Sequence, residues 1–397
     1  METIKIVFPK QLKKLFGVIR KAGGQCRLIG GCVRDYLCNK TPTDFDVVTD
    51  VLPEKIIEIF KQHNCKVIPI GLEHGTVLVV IDGCGFEITT LRKDVQCFGR
   101  HAKVEFTNDW KADASRRDFT INTLSMDPEG EVYDYFGGQK DLQHGVVKFV
   151  GEPSERINED YLRIMRFFRF LGYFGLTCID DASYNAAIGG ISNLVYISKE
   201  RIKRELFKLL SAKYGLEVIS MLNNAHVLQY IGFPQGIVLP QSMGHITFQE
   251  MEPLTNLAII IAITGAEKPQ HLDELRQSIL LSNKEYKELV CLSAFDHTQK
   301  FRDFHHYKYW YEYGQELYLK FLFVVNNIKE LPNYMLYRDE VLNEKIEKFP
   351  LTGTDLKKLG YSGEKIGELL NIAKIYWHEH KNKVTKNDLL DHIVKTI

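Results

Sequence analysis

LIGGCVRDYLCNKTPTDFDVVTD, residues 28 to 50, sets a glycine pair after a short apolar run and two aspartates at the head of a second run. The pattern predicts a strand from Cys26 to Ile29, a helix from Cys32 to Cys38 and a strand from about Phe45 to Thr49. Residues two apart on a strand share a face, so Asp44 and Asp46 would present carboxylates from Cα atoms roughly 7 Å apart. Hard oxygen ligands suit Mg²⁺, and a two-metal clamp needs its ions only about 3.5–4 Å apart. Gly30 and Gly31 put bare backbone N–H groups where a helix begins, a place that accepts phosphate oxygens. Arg34 follows within reach of the same phosphates, and Asp35 is expected to orient it or to cap local backbone. A DxD in a surface turn or a lone GG says little; their joint spacing in one strand–helix–strand unit carries the reading.

Outward from this unit, strands are expected at Val77 to Ile81 and Phe86 to Leu91, joined as a hairpin by Asp82-Gly83, and at Ile121 to Met126 and Val132 to Tyr135. Helices are expected at Pro9 to Lys21, with Phe8, Leu12, Leu15, Phe16 and Ile19 on its apolar side, and at Pro53 to Gln62. Asp50 is read as the N-cap of the latter. Alternation sets Phe86 and Ile88 in the core and turns Glu87 to the opposite face, as a third metal-binding carboxylate or a solvated strand residue. From Pro153 the apolar period becomes helical, through Leu162, Met165, Phe168 and Leu171, then Ile202, Leu206, Leu209 and Leu210, and no convincing strand returns. The fold class is therefore α+β, a mixed α/β head with a small twisted sheet followed by an all-α remainder.

At 397 residues the chain is longer than one core usually serves. Net charge is zero, which counts against a nucleic-acid binder, and residues 151 to 215 carry only ten Lys and Arg against eight Asp and Glu. RNA contact would need local segregation, as with Lys199, Arg201, Lys203 and Arg204 on one helix; a solvated face balanced by Glu200 and Glu205 is the competing reading. Eight cysteines are scattered without a CxxC, which argues against structural zinc and for a reducing compartment. The longest apolar stretch, Leu254 to Ala266, is too short for a membrane span. A cytoplasmic or organellar-matrix protein is expected, of undetermined oligomeric state.

Two further blocks, RRDFTINTL at Arg116 to Leu124 and EDYLRIMRFFRF at Glu159 to Phe170, complete a series with GGCVRD and DFD. Together with EITTLRKD, DYFGGQKDL and SKERIKREL they resemble the class II tRNA nucleotidyltransferases, which build the CCA end of tRNA, and the related bacterial poly(A) polymerases. The match is dense from about residue 25 to 212, with PLTGTDLKKLGYSGEKIGELL near Pro350 the familiar part beyond. The resemblance implies a nucleotidyltransferase head at 1–150, a helical neck that recognises the base at 151–215, a helical body at 216–330 and a tRNA-binding tail at 331–397. It implies two Mg²⁺ ions on Asp44 and Asp46 with Glu87 assisting, and nucleotide contacts from Gly31, Arg34, Arg117, Asp160, Arg163, Arg166 and Arg169. Asp118 and Asn122 are expected to be structural hydrogen-bonders.

Asp160, Arg163, Arg166 and Arg169 recur every three residues and would form a row on one helix, either a charged stripe with an i,i+3 ion pair or a template for bases. Cytosine and adenine each offer an amino donor beside a ring-nitrogen acceptor, which a carboxylate and a guanidinium match; uracil and guanine oppose the pair at a cost on the order of 1–3 kcal/mol. RKDVQCFGRHA, from Arg92 to Ala102, corresponds to the family's flexible loop, with Phe98 where many members have Asp; relatives that add only CC tend to lack the loop. The implied substrates are tRNA, CTP and ATP. The alternatives are a poly(A) polymerase, an A-adding tRNA nucleotidyltransferase, or a catalytically inactive RNA-binding protein.

Overall fold

The computed structural model describes residues 8–42, 44–98, 101–240, 246–248, 252–293, 306–331 and 333–396, with side chains 95–103 and 329 excepted. The chain divides into two compact units, Met1–Gln235 and Gly236–Ile397.

The first unit opens with α1 (Lys10–Lys21), β1 (Cys26–Ile29), α2 (Gly31–Leu37), β2 (Asp46–Thr49) and α3 (Pro53–Gln62). There follow β3 (Lys66–Gly71), β4 (Thr76–Ile81), β5 (Cys84–Thr90), β6 (Arg92–Phe98), β7 (His101–Phe106) and α4 (Trp110–Ser115). The head closes with β8 (Ser125–Met126), β9 (Val132–Tyr133) and α5 (Gly138–His144). Seven strands form one sheet in the order β3-β4-β5-β2-β1-β8-β9, while β6 and β7 pair apart from it. Within the large sheet only β2 and β5 run parallel. The β4–β5 turn is Asp82-Gly83, both at positive φ, which matches the twist of the strands it joins. Leu12, Leu15 and Phe16 of α1 and Ile56 and Phe60 of α3 bury their faces with Leu28, Val47, Phe86 and Ile88. Alternation along β2 and β5 sends Asp46 and Glu87 to the other side.

Some expectations are corrected. β3 was not foreseen, because Pro69 interrupts its pattern; the strand lies at the sheet edge with an irregularity between Pro69 and Gly71, where proline is tolerated. Thr120–Asn122 is a short 3₁₀ turn and only Ser125 and Met126 are extended, so the expected strand from Ile121 shrinks to two residues. Asp50 does not cap α3, whose N-cap is Leu52; its Oδ1 accepts the Gln25 N–H at 2.8 Å. In the segment expected to correspond to the family's flexible loop, Arg92–Phe98 and His101–Phe106 are paired strands; the Phe98 side chain and Gly99-Arg100 lie outside the described residues.

Helices complete the unit: α6 (Pro153–Glu159), α7 (Leu162–Phe174), α8 (Asp181–Gly190), α9 (Lys199–Leu210) and α10 (Gly215–Asn224). α7 docks on the head through phenylalanines, with Phe119 centred 4.8 Å from Phe149 and Phe149 stacked 5.7 Å from Phe167. The second unit contains α11 (Pro253–Thr264), α12 (Pro269–Ser278), α13 (Asn283–Ser293), α14 (His306–Lys329), α15 (Tyr334–Asn343), α16 (Gly353–Lys358), α17 (Glu364–Glu379) and α18 (Lys386–Thr396). α11 is apolar almost all round and buried. Trp377, Leu369, Leu356 and Leu389 gather α16, α17 and α18 into a separate cluster. No strand follows β9 among the described residues, and no helix among them is long and apolar enough to cross a membrane.

Candidate active site

β2 and β5 bring the acids together. Their parallel register sets Asp46 beside Glu87, and Asp44 lies in the bend just before β2, so it joins the pair from a turn and not by strand alternation as expected. Asp46 and Glu87 are exposed, and neither makes a hydrogen bond or salt bridge through its carboxylate among the described residues. Partial loss of water raises the Asp46 carboxyl above its ordinary pKa, with Asp44 adding to the rise and Arg117 opposing it. No three His, Cys, Asp or Glu side chains among the described residues converge closely enough to enclose a cation. The carboxylate oxygens of Asp44, Asp46 and Glu87 are hard donors, the kind that suit a divalent cation.

The glycine pair stands beside the acids. Gly30 has φ 69° and ψ −123°, a left-handed conformation that side chains resist. A Cβ there would stand 3.5 Å from Arg117 Nη1, an ordinary contact, so the backbone conformation and not space calls for glycine, and the guanidinium lies against the turn. Gly31 is the first residue of α2. Arg34, from the same helix, donates to Asn122 Oδ1 at 3.0 Å and to Asp35 Oδ1 at 3.1 Å, so Asp35 does orient it.

Arg117 in turn is held from α4. Asp113, wholly buried, receives Arg116 Nε at 2.9 Å and Arg116 Nη2 at 2.8 Å, and its Oδ2 lies 3.3 Å from Arg117 Nη2. The backbone N–H of Arg92, first residue of β6, also donates to it at 3.2 Å. Burial tends to raise the Asp113 carboxyl, but Arg117 and Arg116 together hold it below the usual range. Burial, then repulsion from Arg116, brings the Arg92 guanidinium down to about 10. Asp113 and Arg92 escaped the sequence reading, since an acid in the first turn of a short helix reads as helix-end electrostatics.

Asp118 is also buried. It accepts the Phe119 N–H and Asn122 Nδ2, both at 2.9 Å, and Arg166 Nε at 2.6 Å, matching the structural role expected of Asp118 and Asn122. This last bond ties the RRD block to α7.

The expected row from Asp160 to Arg169 is not one helical stripe. Asp160 has φ −153° and ψ 106° and separates α6 from α7. Its Oδ1 accepts the Leu162 N–H at 3.1 Å and its Oδ2 pairs with Arg201 Nη2 at 2.8 Å, so no Asp160–Arg163 ion pair forms. Arg163 pairs with Glu159 and donates to the carbonyls of Arg156 and Arg116. Arg169 pairs at 2.8 Å with Glu205, both almost wholly buried. Arg201 and Glu205 therefore face α6 and α7, while Lys199 and Arg204 remain exposed and Lys203 is half-exposed with its ammonium over the Phe207 ring. The cause is tertiary: a carboxylate enclosed between helices takes whichever guanidinium shares its enclosure.

Acids on two adjoining strands beside a glycine turn and a guanidinium form an arrangement able to take a triphosphate with a divalent cation. Residues 26–148 match the Poly A polymerase head domain family. The chain is 33% identical over 401 residues to the mitochondrial CCA tRNA nucleotidyltransferase 1 of Danio rerio, covering 97% of this chain and 90% of that one. It shares its fold with the Bacillus stearothermophilus CCA-adding enzyme solved in complex with CTP, with TM-score 0.74, 22% identity and 94% of both chains covered. The Thermotoga maritima CCA-adding enzyme complexed with tRNA aligns at TM-score 0.69 and 20% identity over 99% of this chain and 97% of that one. The chain belongs to the CCA tRNA nucleotidyltransferase family, whose members generally use divalent metal ions.

Proposed function

We propose that this enzyme completes or repairs the 3′-terminal CCA of tRNA, transferring two CMP and one AMP from CTP and ATP with release of pyrophosphate. The observation that carries the reading is the in-register pairing of Asp46 with Glu87 beside Arg117, in a chain alignable almost end to end with a CCA tRNA nucleotidyltransferase. Asp44 and Asp46, with Glu87 alongside, would hold two Mg²⁺ ions, which supply Lewis-acid charge at the phosphate and lower the pKa of the primer hydroxyl. Arg117, Arg34 and the backbone at Gly31 orient the triphosphate. Asp160 accepts from the exocyclic amino group of cytosine or adenine, and Arg163, whose Nε is not among its bonds to Glu159 and the two carbonyls, donates to the ring nitrogen. Arg166 and Arg169, read from the sequence as nucleotide contacts, act in this reading by bracing α7 through Asp118 and Glu205. Lys199, Lys203 and Arg204 face the RNA backbone.

In this reading residues 1–150 are the catalytic head, 151–215 the neck, 216–330 the body and 331–397 the tail, the last two bearing on tRNA. The compartment is the cytoplasm or an organellar matrix. The test is a tRNA lacking its last three nucleotides, incubated with CTP, with ATP and with both, and resolved nucleotide by nucleotide. CC from CTP alone and a single terminal A from the mixture support the proposal. Long adenylate tails from ATP alone would establish a poly(A) polymerase, and a single A added only to primers ending in CC an A-adding enzyme.

A further inference from the structure

We propose that Asp113 is a positioning residue that fixes Arg117 at the nucleotide turn and couples occupation of that turn to the root of the β6–β7 hairpin. The inference rests on the reading of Arg117 as a triphosphate contact. Two observations carry it.

First, one enclosed carboxylate serves two guanidiniums and a backbone N–H. Oδ1 takes Arg116 and the Arg92 N–H, and Oδ2 faces Arg117 at 3.3 Å, the longest of these contacts. Arg117 is thereby pinned through Nη2 alone, with Nη1 towards Gly30 and a buried Nε that has no partner. Donors in that state are ready for phosphate oxygens, and a guanidinium fork suits them.

Second, the same carboxylate closes the hairpin. The chain leaves the large sheet at Leu91, enters β6 at Arg92 and returns to donate the Thr107 N–H to the Leu91 carbonyl at 2.9 Å. Asp109 then caps α4 through the N–H groups of Lys111 and Ala112, and one turn later Asp113 reaches back to Arg92. Both feet of the hairpin are thus fastened to the helix that holds Arg117.

When phosphate oxygens engage Nη1 and Nε, the guanidinium is held between the phosphate and Asp113 Oδ2, and the carboxylate that fastens Arg116 and the Arg92 N–H is held with it. The hairpin root then tightens as nucleotide binds.

Asp113→Asn tests this, since it keeps size and an acceptor oxygen but removes the charge. With tRNA primer and CTP, KM for CTP should rise about 10-fold, as expected for loss of a charge-assisted hydrogen bond, while kcat falls much less. Hydrogen exchange at Arg92 to Asp94 and Val104 to Thr107 should slow on adding CTP in the wild-type enzyme and not in the variant, and Asp113→Glu should restore part of both effects. An Asp113→Asn enzyme with unchanged KM and unchanged CTP-induced protection overturns the coupling, as does a fall in kcat alone. If Asp113→Asn does not fold, Arg117→Lys breaks the fork from the other end; hairpin protection by CTP that survives it overturns the proposal equally. A wild-type enzyme that incorporates no nucleotide instead overturns the underlying assignment of Arg117, and the coupling with it.

Discussion

Asp46 and Glu87 stand exposed on adjoining strands with no cationic group bonded to either carboxylate among the described residues, whereas the neck arginines 156, 163, 166 and 169 each meet an acid from α6, α9 or the RRD block. The two regions use charge in opposite ways. In the head, a carboxylate is held partly stripped of water with a like charge nearby, a cost in stability visible in the raised pKa of Asp46, which burial causes first and Asp44 adds to, and which a bound cation would offset. In the neck, opposite charges are enclosed with one another, and what they secure is geometry: α7 held to the head at Asp118 and to α9 at Glu205. Acids that await a ligand and acids that position a scaffold should therefore respond differently to mutation.

The largest contrast is at Asp46. Asp46→Asn should lower incorporation of both CMP and AMP by at least ~10³-fold, as expected when a group facing the reacting phosphate is lost. It should leave thermal stability unchanged or slightly raised. The sign follows from the raised folded-state pKa: the folded state disfavours the ionised form, so ionisation at neutral pH opposes folding and a neutral amide relieves it. Primer-extension rates and melting curves on one preparation check both halves. A variant that loses activity by unfolding would erase the contrast.

Glu205 should behave in the reverse way. Glu205→Ala leaves Arg169 enclosed without its partner and should cost about 3–5 kcal/mol of stability. Arg169 Nε has no hydrogen-bond partner, and Glu205 Oε2, although 2.8 Å from Arg169 Nη1, receives no well-directed hydrogen bond, so the pair is imperfectly satisfied. Replacing both residues together, Arg169→Met with Glu205→Leu, should cost much less than the single change. Denaturant unfolding of wild type, the single variant and the double variant makes the comparison; equal losses in single and double variants would refute the scaffold role.

Asp118 sharpens the comparison through pH. Although burial alone would raise it, Arg166 and Asn122 hold its carboxyl below the ordinary range. A depressed folded-state pKa contributes stability above the unfolded value, near 3.9, and loses that contribution as pH falls through the folded value. Asp118→Asn should therefore cost roughly 1.5–3 kcal/mol at neutral pH, the worth of a hydrogen bond to a charged group, and progressively less in acid. A stability difference from wild type that stays constant from neutral pH down through the carboxylate range would contradict it.

What could be read beforehand divides along the same line. Strand alternation placed Phe86 and Ile88 inside and Glu87 outside, and the apolar side of α1 from Phe8 to Ile19 was legible from its period. The register that sets Glu87 beside Asp46 was not legible, because a parallel pairing 41 positions apart leaves no local trace. β3 and the β6–β7 pair were hidden by Pro69 and by a polar, glycine-containing segment. In the neck, a three-residue period suggested one stripe, but the extended backbone at Asp160 breaks the helix and turns its carboxylate to α9. Partner choice among several arginines and several acids is decided by packing between helices, which composition does not encode.

The smallest expected effect lies where the two regimes meet, at Arg201. The sequence suggested a residue facing RNA, but its guanidinium holds Asp160 Oδ2 at 2.8 Å, with both side chains about one-fifth exposed. Asp160 Oδ1 meanwhile caps the Leu162 N–H, so the carboxylate is fixed at both oxygens, each with a lone pair left for a base amino group. If Asp160 selects the base, its orientation matters more than its charge, and Arg201 supplies half of that orientation. Arg201→Ala should then lower the preference for CTP and ATP over UTP and GTP by about 10-fold, the worth of one partly exposed charged hydrogen bond, with little change in KM for tRNA. Steady-state kinetics with each of the four triphosphates decides the matter. A raised tRNA KM with undisturbed base choice would return Arg201 to the solvated face beside Lys199 and Arg204 and make Asp160 a cap for α7 and nothing more.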